Sequence, residues 1–192
     1  MSLRVQTDPE LIRRYIAGEE IALEELIKRY QKQVFSFILL KVRDRILAED
    51  LFQDTFIKVI DSLRTGNYRD EGKFIPWVLR IAHNLCIDYF RKTSRHPKVV
   101  TSDGKDIFEF MGFADESKED IIIRDQTYST MKILVSRLPE EQREVIILRH
   151  YAELSFKEIS EITGVSINTA LGRMRYALIG LRKMMKENVI AI

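Results

Sequence analysis

The sequence predicts an all-α fold: two small helical domains joined by a flexible acidic linker, with a helix-turn-helix in the C-terminal domain. Three observations lead there. Apolar residues recur at spacings of three and four along most of the chain, and no segment alternates convincingly with period two. From His96 to Glu119 the pattern breaks, with Pro97, Gly104, Gly112 and a run of carboxylates. Beyond it the helical period returns and ends in two short helical patterns meeting at Gly164.

Asp8-Pro9 reads as an N-cap with proline at the first helical position, followed by Leu11, Ile12, Tyr15 and Ile16, and Gly18 stops that helix. Leu23, Leu26, Ile27, Tyr30, Val34, Phe37 and Ile38 continue at helical spacing. A third helix is expected from about Leu47 to Leu63, then a loop from Arg64 to Gly72, then a fourth helix from about Phe74 to Lys92. Within the linker a short turn around Ile107 to Met111 is expected. Pro139, Glu140 and Glu141 start another helix, which Val145, Ile146, Leu148 and Arg149 carry to about Tyr151. The expected division is residues 1–95, 96–120 and 121–192.

Composition narrows the function. No apolar run reaches the roughly 20 residues that cross a bilayer. The N-terminal turns hold Arg4, Asp8, Glu10 and Arg13 instead of an apolar signal segment, so a cytoplasmic protein without membrane insertion is expected. One cysteine, Cys86, excludes an internal disulfide framework. It and three scattered histidines make no metal site, and no cofactor is implied. Neither paired carboxylates nor a nucleophile-base set nor a phosphate-cradling glycine loop is present, so no enzyme is expected.

The formal net charge of +2 hides segregation. Residues 73–98 carry a net +5, residues 99–125 a net −5, and residues 155–192 a net +3. Two basic blocks separated by an acidic one suit a polyanion such as nucleic acid, although any single block is compatible with a solvated surface.

Leu154 to Thr169 fits a helix-turn-helix. Ser155 is a natural N-cap, Glu158 completes a capping box, and Gly164 supplies the left-handed turn. Ser166 caps the second helix. On its wheel, Ile167, Leu171, Met174, Leu178 and Leu181 form the expected core side. Asn168, Thr169, Gly172, Arg173 and Tyr176 lie opposite, with Arg175 on the flank. Asn and Arg suit bidentate contacts with adenine and guanine edges in the major groove, and Gly172 leaves room for close approach. An ordinary helical hairpin is the plainer alternative.

In the third helix, Leu51, Phe52, Thr55, Phe56, Val59 and Leu63 share the core side, while Asp50, Gln53, Asp54, Ile57 and Asp61 lie opposite. An acidic face with one central apolar residue suits a basic protein partner, with Ile57 as anchor and the carboxylates fixing register. In the fourth helix, Phe74, Val78, Ile81, Ala82, Leu85 and Tyr89 are the expected core side. Lys73, Trp77, Arg80, Asn84 and Arg91 align on another, with Asp88 at its margin. Aromatic rings stack on exposed bases while cations hold the backbone, so this surface suits DNA that is being opened. Trp77 as a core residue is the other reading.

These stretches carry a family resemblance. Ala48-Glu49-Asp50-Leu51-Phe52-Gln53-Asp54-Thr55-Phe56 resembles the polymerase-binding helix in region two of bacterial sigma factors. Phe74 to Lys92 resembles the segment that melts the promoter and reads the minus-ten element. Leu138-Pro139-Glu140-Glu141-Gln142-Arg143-Glu144-Val145 and the helix-turn-helix resemble region four. No long middle domain separates them, which is similar to the extracytoplasmic-function (ECF) group. The resemblance implies that Asp50, Gln53, Asp54 and Ile57 dock on the largest subunit of RNA polymerase core. It implies that the loop holding Asn67 takes a flipped base, and that Trp77, Arg80, Asn84, Arg91 and Lys92 contact promoter DNA near the melting point. Ser166, Asn168, Thr169, Gly172, Arg173, Arg175 and Tyr176 would meet the minus-thirty-five element, Gly172 standing where the family commonly has serine. Many such proteins are held by an anti-sigma partner. A helix-turn-helix regulator with an N-terminal sensor or dimerisation domain is the competing function.

Overall fold

The computed structural model describes residues 6–69, 73–93, 131 and 133–190. The expected linker, with its turn around Ile107 to Met111, lies outside the described residues. Among the described residues every regular element is helical and there is no strand. The described residues fall into two compact units: 6–38 with 46–93, and 39–45 with those from 131 on.

The first unit begins with α1 (Asp8–Ile16). Its N-cap is Thr7, one residue earlier than expected, because Thr7 and Glu10 form a capping box in which the Thr7 N–H donates to Glu10 Oε2 at 2.8 Å. Asp8 is thereby released for a long-range role. Its carboxylate accepts from Arg29 Nη1 at 2.6 Å and from the Tyr30 hydroxyl, fastening α1 to α2 (Glu20–Val42). Gly18, at φ +101°, makes the turn between the two helices. Along α2, Val34 to Lys41 are all buried.

Burial, then the bond to Asp8, pushes the Tyr30 phenol up to about 12. The folded chain thus keeps a proton that the unfolded chain releases near pH 10. The resulting stabilisation is complete below that pH and is lost as pH rises towards 12. Denaturant titrations through this alkaline window are expected to show a steep loss of stability in the natural chain and a shallower one in Tyr30→Phe. Equal slopes would detach the effect from Tyr30.

Helix α3 (Arg45–Arg64) buries Ala48, Leu51, Thr55, Phe56, Val59 and Leu63, with Phe52 half-buried beside Phe35 and Phe56. The one polar group in this stripe, the Thr55 hydroxyl, donates to the Leu51 carbonyl at 2.6 Å, so its burial leaves no donor stranded. A left-handed Gly66 ends the helix, the Asn67 N–H reaching back to the Ser62 carbonyl at 3.0 Å.

Helix α4 (Phe74–Thr93) is rotated from its expected setting. Phe74, Val78 and Ala82 are buried as expected, but their companions are Leu79, His83 and Cys86. Ile81, Leu85 and Tyr89 are only half-buried. The helix is apolar on more than one side, and the His83 ring, stacked on Phe37 at 6.5 Å, fills a core position that hydrophobicity alone assigns to a leucine.

In the second unit, Pro139 is the N-cap of α5 (Glu140–Ile146) and not its first helical residue. The chain then widens into one π-helical turn, Ile147–Tyr151, where the Ala152 N–H reaches the Ile147 carbonyl at 3.2 Å. Arg143 is buried, which lowers its pKa. Its guanidinium donates to the Ser136 and Leu138 carbonyls at 3.2 and 3.1 Å, which end the helical turn at residues 133–136.

Helix α6 (Phe156–Thr163) opens on the expected capping box, the Ser155 N–H donating to Glu158 Oε2 at 2.8 Å and the Glu158 N–H to Ser155 Oγ at 3.3 Å. Gly164 follows at φ +68° and turns the chain into α7 (Ile167–Ile190). The buried side of α7 is Ala170, Met174, Ala177 and Leu181. Ile167, Leu171 and Leu178, expected in the core, are exposed.

Candidate polymerase and nucleic-acid interfaces

The periodicity that buries Leu51, Thr55, Phe56 and Val59 turns Asp50, Gln53, Asp54, Ile57 and Asp61 outwards, and all five are exposed. They occupy successive turns of one helix face, so a partner groove can take them together. Ile57, 54% exposed, is a large apolar residue at the centre of that face. Such a side chain gains from burial against a partner, while the carboxylates around it set orientation and encounter rate.

Trp77 is neither fully buried nor fully exposed. It is half-buried: its ring lies 4.5 Å from that of Tyr68 and 5.9 Å from that of Phe74, and Phe74 in turn sits 5.8 Å from Tyr30. The indole is therefore held by an aromatic cluster at its back while part of it stays accessible. Tyr68 was missed by sequence reasoning, and its signal, an aromatic residue in the loop before α4, was open to view. Arg80, Asn84, Arg91 and Lys92 are exposed, with Asp88 at the margin accepting from Arg91 Nη2 at 3.0 Å. Asn67 is exposed at the end of α3, its amide donating to Thr65 Oγ1 at 2.9 Å.

On α7, Ser166 accepts from the Thr169 N–H at 3.0 Å, and the two hydroxyls lie 2.8 Å apart. Ser166 therefore caps the helix, as expected, and holds the Thr169 side chain against the first turn. Asn168, Thr169, Arg175 and Tyr176 are exposed; Gly172 and Arg173 are half-buried. A Cβ added at Gly172 would meet nothing within 4 Å, so the surface there is open to close approach. Ile167 and Leu171 lie beside these residues at the start of the helix, which their expected core placement did not foresee. Among the described residues, no group of histidines, cysteines and carboxylates could hold a metal ion.

Residues 26–96 match the model of sigma-70 region 2, and residues 134–174 that of sigma-70 region 4. The RNA polymerase sigma-H factor of Pseudomonas aeruginosa is 30% identical over 90% of each chain. The ECF RNA polymerase sigma factor SigM of Bacillus subtilis is 33% identical over 76% of this chain and 84% of its own. The sigma factor CarQ of Myxococcus xanthus is 31% identical over 91% of this chain and 95% of its own. Among solved structures, CnrH in complex with the cytosolic domain of CnrY superposes with a TM-score of 0.64 at 18% identity, covering 95% of this chain and 99% of that one. RpoE bound to the anti-sigma factor NepR from Bartonella quintana gives 0.65 at 20%, covering 85% and 96%. These two likenesses bear on the fold.

The chain thus belongs to the sigma-70 family of RNA polymerase sigma factors, in its ECF group. It binds RNA polymerase core, recognises promoter elements and promotes DNA melting for transcription initiation. The competing regulator reading falls, because the N-terminal unit carries region 2 and not a sensor or dimerisation domain. The family is one of initiation factors and not of enzymes. No helix among the described residues is long and apolar enough to cross a membrane.

Proposed function

We propose that this sigma factor divides its work among three surfaces: the outer face of α3, the aromatic-basic face of α4 with the loop before it, and the N-terminal turns of α7. Asp50, Gln53, Asp54 and Ile57 dock on polymerase core. Trp77, Arg80, Asn84, Arg91 and Lys92 engage the minus-ten element as it opens, and the loop holding Asn67 receives a flipped base. Ser166, Asn168, Thr169, Gly172, Arg173, Arg175 and Tyr176 anchor the minus-thirty-five duplex. Residues 1–95 and 121–192 act as the two working domains and 96–120 as their connector. The observation that carries this reading is the pairing, inside one unit, of an exposed Ile57 ringed by carboxylates with a half-exposed Trp77 beside a row of cations.

Because RpoE was solved with the anti-sigma factor NepR, a protein partner of that kind is proposed for this chain too. Its working compartment is the cytoplasm, where polymerase core and promoter DNA meet. The direct test is run-off transcription with purified core. The chain is expected to give one transcript of fixed length from a promoter that core alone ignores. A chain that binds the promoter but never confers initiation on core would sink the reading.

A further inference from the structure

Ile167 and Leu171 are 44% and 43% exposed, one turn apart in the first two turns of α7. Single exposed aliphatic residues are common on protein surfaces and need no explanation. What sets this pair apart is its position. It shares a surface with Asn168, Gly172 and Arg175, at the end of the helix that a helix-turn-helix presents to bases. The four-residue step from Ile167 to Leu171 advances about 6 Å along the axis, well inside a major groove about 12 Å wide. Leu178, the next exposed aliphatic residue on that line, lies about 10 Å further on, past the turns that such a groove admits. Beside Leu171 the missing side chain of Gly172 leaves open space, so nothing there holds Leu171 away from an approaching duplex.

Seating two aliphatic side chains against a major groove is unfavourable opposite hydrogen-bonding base edges. The groove offers one apolar group, the C5 methyl of thymine. We propose that Leu171, with Ile167 beside it, is a specificity residue that reads a thymine methyl in the minus-thirty-five duplex. The proposal rests on the assignment of α7 to that duplex. It adds a preference that Asn168 and the arginines do not supply, since their chemistry favours adenine and guanine edges.

Holoenzyme assembled from polymerase core and the full chain would first select its minus-thirty-five sequence from a randomised promoter library. Each thymine of the selected sequence would then be replaced by deoxyuracil, which removes the methyl and nothing else. At one thymine the replacement is expected to weaken binding about fourfold, the worth of one buried methyl group. Leu171→Ala is expected to bind thymine and deoxyuracil duplexes equally, and Leu178→Ala to keep the natural discrimination. The replacement series on the natural chain needs no variant, so a folding defect cannot mask it. Indifference of the natural holoenzyme to every replacement overturns the proposal, as does discrimination that survives in Leu171→Ala. A holoenzyme that selects no minus-thirty-five sequence at all removes the assignment of α7 to duplex DNA, and the proposal with it.

Discussion

Ile57→Ala is expected to weaken binding to polymerase core by roughly tenfold to a hundred-and-fiftyfold while leaving thermal stability unchanged. The side chain is 54% exposed on the outer face of α3, so its removal opens no cavity in the core of the unit. Alanine is also the better helix former, so any local effect on stability is a slight gain. In the complex the same side chain would fill the centre of the docking face. Truncating a buried interface anchor of this size costs about 1.5–3 kcal/mol, which sets the range above. Asp54→Ala should act differently. Its carboxylate lies one helical step from Ile57 at the edge of the face, and rim charges govern encounter more than residence. Its loss should slow association at low salt and matter little once the Debye length falls to about 3 Å near 1 M salt. Titration of labelled core against both variants, at low and high salt, separates the two effects. Natural affinity in both variants would remove the outer face of α3 from the interface.

Helix α3 is legible in the sequence for a physical reason. Its apolar residues are large and spaced at three and four, and Thr55, its one buried polar residue, is satisfied by its own helix. The inner and outer faces are therefore both plain from the sequence. Helix α7 is the opposite case. Ile167, Leu171, Met174, Leu178 and Leu181 make an attractive apolar stripe, but the chain buries Ala170 and Ala177 in place of three of them. Small residues let neighbouring helices approach closely, and periodicity weighted by hydrophobicity undervalues them. The stripe set aside in this way is what leaves Ile167 and Leu171 at the reading end of the helix. Helix α4 fails more gently, since a helix apolar on two sides has no unique buried face until its neighbours are known. The N-cap at Thr7 was hidden by the stronger-looking Asp8-Pro9 pair. Which of those residues caps depends on Arg29 and Tyr30, more than twenty positions away.

Trp77→Ala is expected to impair initiation on fully paired promoter DNA far more than on a template whose minus-ten region is already unpaired. An aromatic platform stabilises bases only after they leave the duplex stack, so it favours the opened state over the closed one. Stacking of one base on an aromatic side chain is worth about 1–3 kcal/mol, or roughly fivefold to a hundred-and-fiftyfold in the open-to-closed ratio. A mismatched bubble removes most of the cost that this contact helps to offset, and activity there should return to within a few-fold of natural. The variant also loses packing, because the indole sits 4.5 Å from Tyr68 and 5.9 Å from Phe74. Trp77→Phe addresses that loss: it keeps an aromatic ring within the cluster and should restore much of the opening on paired DNA. Permanganate footprinting of unpaired thymines would report opening directly, alongside thermal unfolding of each variant. A Trp77→Ala chain equally weak on paired and bubble templates would mean that Trp77 serves packing alone. The ring would then be one more member of the Tyr30, Tyr68 and Phe74 cluster, and Arg80, Asn84 and Arg91 would have to engage the opened strand without it.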